Sequence, residues 1–398
     1  MENTCPIISL RSDVCMERLK FIFWQNINSM HQSAFLKALA VKHDVTLVTM
    51  TSVTGRESMG WHEPDLTGVT LLQMSQIDWK FLILKHTGKD TIHVFAGMHA
   101  FVPIHRAMLL AMRQGCRFGV YAEPLVMEGA AGLVKQWRGR LDAFRFADHL
   151  EFVLCIGPEC RRQYLDWGFP EHKLHDWAYV TEHFLAPQDA GLEDRPFRII
   201  FPGSCSRRKG ADLLLEAAAT LETHTRFELL CYSRSPVFPD IFERKMLDKY
   251  SGIAHINLKP FIDNEKVRIS IGQADLLVLP SRFDGWGAVV NEALGAGTPV
   301  LVSDRCGSSV LIRDNPLLGH IFGPPTVRTL REALSRIIGE GVPSPLRRER
   351  IRDWADRHIS GAVLADHFLA IIDHASSVSK LPTTAPWIRP SRSVPLQH

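Results

Sequence analysis

The chain has 398 residues, 45% of them hydrophobic and 22% charged, ordinary values for a folded protein that exclude a disordered or fibrous one. That length is too great for one ordinary domain and suits two, each able to bury its own core. A formal net charge of +3 supplies no whole-molecule field for nucleic acid, so no nucleic-acid partner is expected and any anion site must be local.

No early stretch has the apolar core of a signal peptide, and no run approaches the ~20 apolar residues that cross a bilayer. The eight cysteines are scattered and form no CxxC pair of the kind zinc sites use, so a reduced cytoplasmic setting is expected. In chain order, Leu19 to Trp24 reads as a strand, Gln25 to Met30 as a turn, and the following residues to Val41 as a helix. Strands are expected again at 44–50, 68–74, 91–96, 117–122 and 151–156, with helices at 104–114, 129–147 and 158–166. Alternation of this kind implies a parallel, doubly wound α/β sheet.

Residues 183–196, with Pro187, Gly191 and Pro196, have linker chemistry. The pattern then restarts with apolar runs at 197–201, 227–231, 255–258, 276–279 and 300–302, a second Rossmann-like unit. Residues 326–376 read as helix after helix, and beyond Ser377 a tail rich in Pro, Ser and Thr is expected to be disordered. The division is therefore 1–185, a first Rossmann-like domain; 186–376, a second Rossmann-like domain with terminal helices; and 377–398, the tail.

In an open α/β sheet, ligands collect beyond the carboxyl ends of the strands, where helix N-termini offer N–H groups to anions. One such loop is Pro202-Gly203-Ser204-Cys205-Ser206-Arg207-Arg208-Lys209-Gly210, where small residues admit a phosphate and three adjacent cations neutralise it. Taken alone it also reads as a solvated basic turn. A second is Pro280-Ser281-Arg282-Phe283-Asp284-Gly285-Trp286-Gly287, leading into a helix that carries Glu292. Its carboxylates suit the paired hydroxyls of a ribose or a sugar, although a lone Asp before a helix also serves as a cap.

On these residues the stretch from Phe197 to Ser303 resembles the donor-binding half of the retaining GT-B glycosyltransferases of family 4, also called group 1. The resemblance rests on Lys209-Gly210, Pro280-Ser281, the acid-x7-Glu spacing from Asp284 to Glu292, and Gly295-Ala296-Gly297-Thr298-Pro299-Val300. It implies a GT-B fold, two Rossmann-like domains with a cleft between them, 1–185 on the acceptor side and 186–376 binding the nucleotide-sugar donor. It further implies that Lys209 neutralises the donor's diphosphate, Asp284 and the Gly285-Trp286-Gly287 main chain hold the sugar, Glu292 binds the ribose, and Phe261 with its neighbours cups the base. Gly203 and Ser204 belong to the same turn. Two departures from the family pattern stand out: Asp284 replaces a glutamate, and Ser204 replaces an arginine whose charge falls to Arg207 or Arg208.

The N-terminal half resembles the family more weakly, through its strand-loop-helix order and the Trp167-Gly168-Phe169-Pro170 turn. Asn28 and Ser29 occupy the loop that faces the diphosphate, and His31 is read as structural. Glu123, after the strand at 117–121, is a candidate acceptor-side or catalytic carboxylate, with a capping role as the alternative. Asp284, Lys209 and Glu123 are thus the candidate catalytic residues. No metal or other cofactor is expected, since no Asp-x-Asp pair sits at a strand end to bridge a metal to a diphosphate.

The expected partners are a nucleotide sugar and a glycan or lipid-linked acceptor, in bacterial-type surface polysaccharide or glycoconjugate synthesis. On the 132–147 helix, Val134, Trp137, Leu141 and Phe144 form one apolar face bordered by Lys135, Arg138 and Arg145. That face is read either as core packing or as peripheral contact with the inner side of a membrane. The alternatives in function are a nucleotide-sugar epimerase, a sugar phosphorylase, and a catalytically silent glycan-binding assembly protein.

Overall fold

A computed structural model describes residues 18–51, 63–184, 195–203, 205–222, 226–232, 241–259, 263–376 and 382–388. The first unit runs β1 (Lys20–Gln25), α1 (Met30–Ala40), β2 (Asp44–Thr49), β3 (Thr70–Gln73), α2 (Trp79–Lys85), β4 (Thr91–Ala96), α3 (Val102–Arg113), β5 (Arg117–Ala122), α4 (Gly129–Phe146), β6 (Phe152–Ile156), α5 (Gly157–Trp167) and β7 (Leu174–Trp177). Its seven strands are parallel in the order β3-β2-β1-β4-β5-β6-β7. The strand order reverses between β1 and β4, which opens a crevice at their carboxyl ends. Helices cover both faces of the sheet, so β4 and β6 are buried along their whole length, and β6 reads as an unbroken apolar run.

The second unit comprises β8 (Phe197–Phe201), α6 (Ala211–Ala219), β9 (Phe227–Tyr232), α7 (Ile241–Tyr250), β10 (Ile256–Lys259), α8 (Asn264–Gln273), β11 (Leu276–Leu279), α9 (Val289–Ala296), β12 (Val300–Ser303) and β13 (Gly319–Phe322). Three helices follow: α10 (Val327–Glu340), α11 (Pro345–Ile359) and α12 (Gly361–Ala375). Its six strands are also parallel, ordered β10-β9-β8-β11-β12-β13, with the reversal between β8 and β11. Buried Asp275, just before β11, takes charge-assisted bonds from Arg348 at 2.8 Å and from both ends of the Arg195 guanidinium at 2.5 and 2.8 Å. The start of the domain is thereby tied to α11.

The structure corrects two expectations about the C-terminal end. Helix α12 does not cap the second unit; it returns to the first and packs along α1. Phe368 sits there among Phe21, Phe23, Phe35, Phe152 and Trp177, with ring centroids 5.2 to 6.1 Å apart. Contact is close enough that a Cβ on Gly361 would fall 2.3 Å from the Ala34 carbonyl oxygen. The disordered tail expected over 377–398 lies outside the described residues except at 382–388, which are ordered. Residues 382–388 lie as a strap, with Ala385 and Trp387 buried and the Thr383 hydroxyl 3.0 Å from His175 Nδ1. The burial of one large indole outweighs a composition that otherwise favours disorder.

Candidate functional site

The two cleft loops of the second unit follow β8 and β11, which are hydrogen-bonded neighbours, so residues 75 apart in sequence meet. Gly210 ends the first loop in the left-handed region, at φ 74°, and a Cβ there would lie 2.1 Å from the Pro280 oxygen. Only glycine lets the turn close on the second loop in this way. Arg282 then binds it: its guanidinium grips Asp212 through two bonds of 2.7 Å and also donates to the Arg207 carbonyl at 2.7 Å. Arg208 donates in return to the Phe283 carbonyl at 3.0 Å.

Held like this, Lys209 Nζ reaches Asp284 Oδ2 at 2.5 Å, with both side chains largely buried. Asp284 is fixed through its own main chain, donating to Arg305 at 3.1 Å and accepting from Gly307 at 3.0 Å. The Trp286 indole turns inward, donating to Asn291 Oδ1 at 2.8 Å and packing edge-on against Trp387 of the strap, 6.1 Å away. Only the main chain of Gly285-Trp286-Gly287 is therefore placed to meet a ligand. Gly287, at φ 90°, lets that chain pass 3.6 Å, measured from an added Cβ, beside Asp284 Oδ2.

The first unit closes over this cluster. A Cβ on Gly157, at the start of α5, would sit 2.8 Å from the Gly285 oxygen, and one on Gly285 would sit 3.7 Å from Glu123 Oε2. Glu123 accepts a short hydrogen bond from the Tyr179 hydroxyl. Burial, and then the charge of Asp284, raises its carboxyl above the usual range, while Arg208 and Lys209 pull the other way. Of the two candidate arginines, Arg208 is the one whose charge reaches this carboxylate; the Arg207 carbonyl serves the turn.

His31 belongs to the same cluster, although the sequence assigned it to packing. Ser29 caps α1, its hydroxyl accepting from the His31 N–H at 3.2 Å, and this places His31 in the first turn beside Tyr179. Burial, reinforced by Lys209 and opposed by Asp284, lowers the imidazole to about 4, so it is neutral at ordinary pH. Beside it Asn28 is buried with its Oδ1 unpartnered, a group of the kind a ligand satisfies. The available signal for His31 was its position, in the first turn of the helix that follows the first strand at the switch point.

Glu292 lies one turn into α9 and stands apart from these charges. Burial pushes its carboxyl up to about 7, and the cation that opposes the shift is Arg268 on α8. Arg268 is itself held by the Glu182 carbonyl and the Phe184 ring. Lys209, Asp284, Glu123, Arg208 and His31 thus converge, and Glu292 forms a second, less charged pole. Ser204 and Phe261 lie outside the described residues, and Gly203 follows β8 against the Phe201 ring. Among the described residues no group of three or more His, Cys, Asp or Glu could hold a metal. Nor is any described helix long and apolar enough to cross a membrane.

The model of the family described as glycosyl transferases group 1 matches residues 185–355. The chain is 25% identical over 271 residues to the alpha-D-kanosaminyltransferase of Streptomyces kanamyceticus, covering 65% of each chain. It is 31% identical over 191 residues to the lipopolysaccharide glucosyltransferase WaaG of Escherichia coli strain K12, covering 47% of this chain and 49% of that one. It thus spans less than two thirds of these curated relatives' length. Among solved structures it superposes on Anabaena HepE in complex with UDP with a TM-score of 0.65 at 10% identity, covering 89% of this chain and 100% of that one. With the structure of WaaG the TM-score is 0.54 at 18% identity, covering 87% and 98%. The fold is GT-B, two parallel-sheet Rossmann-like units, and the stretch that resembles the group 1 family falls on the second of them.

Proposed function

We propose that this chain is a retaining glycosyltransferase of family 4 that moves a hexosyl group from a UDP- or GDP-sugar to a glycan or lipid-linked acceptor. Its setting is the cytoplasm, in the synthesis of a surface polysaccharide or glycoconjugate. The observation that carries this reading is the largely buried Lys209–Asp284 pair, 2.5 Å apart in the interdomain cleft, with Arg208 beside it on the same loop and Glu123 and His31 facing it from two further elements. An entering diphosphate takes over Lys209 and Arg208, which frees Asp284 for the sugar hydroxyls. The relatives named as transferases and the neighbour that holds UDP support the donor class.

As the bond between the anomeric carbon and the diphosphate breaks, charge grows on the leaving oxygen, where the two cations stabilise it most. The acceptor oxygen bonds to the same face of that carbon, and its proton passes to the departing phosphate oxygen. Glu123 and neutral His31 line the acceptor side and position the hydroxyl. The direct test is to offer a panel of nucleotide sugars and measure both nucleotide release and sugar transfer. Release with no transfer to any acceptor, or no release at all, overturns the proposal.

Glu292 adds a pH signature. Ribose hydroxyls donate to a carboxylate, so the donor selects the ionised form and its affinity rises as pH climbs through about 7. In the empty fold the linkage has the opposite sign. A carboxyl raised from 4.5 to about 7 holds its proton more tightly when folded, so stability falls over that interval and levels off above it. The donor KM of the wild type should therefore fall between about pH 6 and pH 8, and that of Glu292→Gln should stay flat. Glu292→Ala should lower kcat/KM by at least about tenfold, roughly 1.4 kcal/mol.

A further inference from the structure

We infer that Tyr179, in the loop that follows β7, is a positioning residue of the acceptor side: it holds one oxygen of Glu123 and so turns the other toward the donor loop, where the accepting hydroxyl must arrive. The arrival of a hydroxyl rests on the glycosyltransferase reading; the hold on Glu123 rests on geometry alone. The Tyr179 hydroxyl donates to Glu123 Oε1. The other oxygen, Oε2, lies 3.7 Å from where a Cβ on Gly285 would stand, on the side of the main chain that meets the sugar. A glutamate side chain with no anchor spreads over many rotamers, and ordering it costs entropy each time a ligand binds. A bond from a ring that is already fixed removes that cost in advance.

The Tyr179 ring is fixed by its neighbours. Val180, the next residue, donates its N–H to the His31 carbonyl at 2.9 Å, which ties the loop to the first turn of α1. The His31 ring lies against that of Tyr179 with centroids 5.3 Å apart, and the Tyr121 ring meets it edge-on at 6.1 Å. Tyr121, on β5, is hydrogen-bonded to Gln32 of α1, and Gln32 accepts in turn from Gln25 at the end of β1. Tyr179 thus gathers contacts from α1 and β5 and passes them to one carboxylate. Tyrosine suits the task, because it has few torsions to fix and carries its hydroxyl at the far end of a rigid body.

The same bond favours the charged carboxylate, which is the form that accepts from an acceptor hydroxyl. The charged and titratable groups that face Glu123 are Arg208 and Lys209 from the loop after β8, Asp284 from the loop after β11, and Tyr121 and Tyr179 from its own unit. Burial and Asp284 raise the carboxyl, and the two cations lower it. A diphosphate that claims both cations withdraws their help. Of these groups, the Tyr179 hydroxyl then continues to favour the ionised form. It also sets the chemistry that fits at this point: a neutral hydroxyl donates to Oε2, whereas a phosphate is repelled.

The experiment compares the wild type, Tyr179→Phe, Glu123→Gln and the double variant as full chains. Phenylalanine keeps the ring and its packing, and the melting temperature of each variant controls for any loss of fold. In chains isotope-labelled at the glutamate carboxyls, the carbon NMR signal that Glu123→Gln removes reports Glu123. Its titration midpoint should rise in Tyr179→Phe by about one pH unit, roughly tenfold in proton affinity. Transfer from the nucleotide sugar that the donor panel selects is then measured with p-nitrophenyl glycosides as acceptors. Tyr179→Phe should lower the acceptor kcat/KM by about tenfold and move the acid limb of its pH profile upward, because Glu123 keeps its proton to higher pH. A merely structural role would lower the profile without moving it. In the Glu123→Gln background the same substitution should change the rate by less than about twofold. A midpoint that stays in place, or a loss of equal size with and without Glu123, overturns the inference. A wild type that transfers no sugar defeats the glycosyltransferase reading and the acceptor role with it, while the glutamate titration still decides whether Tyr179 holds Glu123.

Discussion

Lys209→Ala should lower kcat/KM for the preferred nucleotide sugar by about a hundredfold or more, roughly 2.7 kcal/mol of transition-state stabilisation. Lys209 is a largely buried cation, and its partner in the empty protein is a carboxylate that the sugar can claim instead. Charge on the leaving diphosphate develops beside it in a site where water is sparse, and there a cation acts more strongly than it would in bulk solvent. Alanine also strands Asp284 without its counter-charge, so part of any loss reflects a poorer fold. Lys209→Met with Asp284→Asn separates the two effects. The pair of neutral residues should recover stability and leave turnover at the single-variant level. Recovery of activity along with stability would show that Lys209 holds the loop and does not stabilise the leaving group. Single-turnover measurements with saturating donor give the cleanest comparison.

The second large effect concerns folding. Phe368→Ala should destabilise the chain by about 3–5 kcal/mol, the cost of removing a fully buried ring and leaving its cavity. Five aromatic side chains of the first unit surround that ring, and nothing from the second unit replaces it. The midpoint of denaturant unfolding, followed by tryptophan fluorescence, checks it. Because Trp177 lies against the ring and Trp286 lies elsewhere, the loss should show first in the unit that contains β1. A Phe368→Leu variant, keeping most of the volume, should recover more than half of the loss. An unchanged midpoint for the alanine variant would mean that α12 is not part of that core.

Much of this organisation was legible in the chain, for a local reason. Strands buried on both faces, such as Phe152–Ile156 and Leu276–Leu279, must be apolar throughout and so announce themselves. Lys209, Asp284 and Arg208 could be placed together because parallel neighbours bring their outgoing loops to one edge. Short strands at the sheet edges escaped. β7, with the sequence LHDW, and β13, GHIF, are edge strands with polar members.

Position along the chain misled where tertiary contact decided. The apolar pattern of α12 says that one face is covered and is silent about which core covers it. The strap was hidden by its prolines and threonines, although Trp387 anchors it against Trp286 and Thr383 ties it to His175. His31 looked structural because its surroundings depend on Lys209 and Asp284, both far along the chain. The face of α4 was visible as periodicity, but only the placement of Gly139 against Trp167 shows that it points outward.

The return of α12 bears on how the molecule comes apart. A single proteolytic nick between positions 184 and 195 would sever the backbone yet leave the fragments clasped, because the downstream piece still plugs its last helix into the upstream one. Conversely, a truncated gene ending at position 184 would encode a Rossmann unit with a hole lined by Phe21, Phe35 and Trp177 where Phe368 belongs. Two half-genes divided at the linker and expressed together should reassemble, whereas the upstream half alone should aggregate.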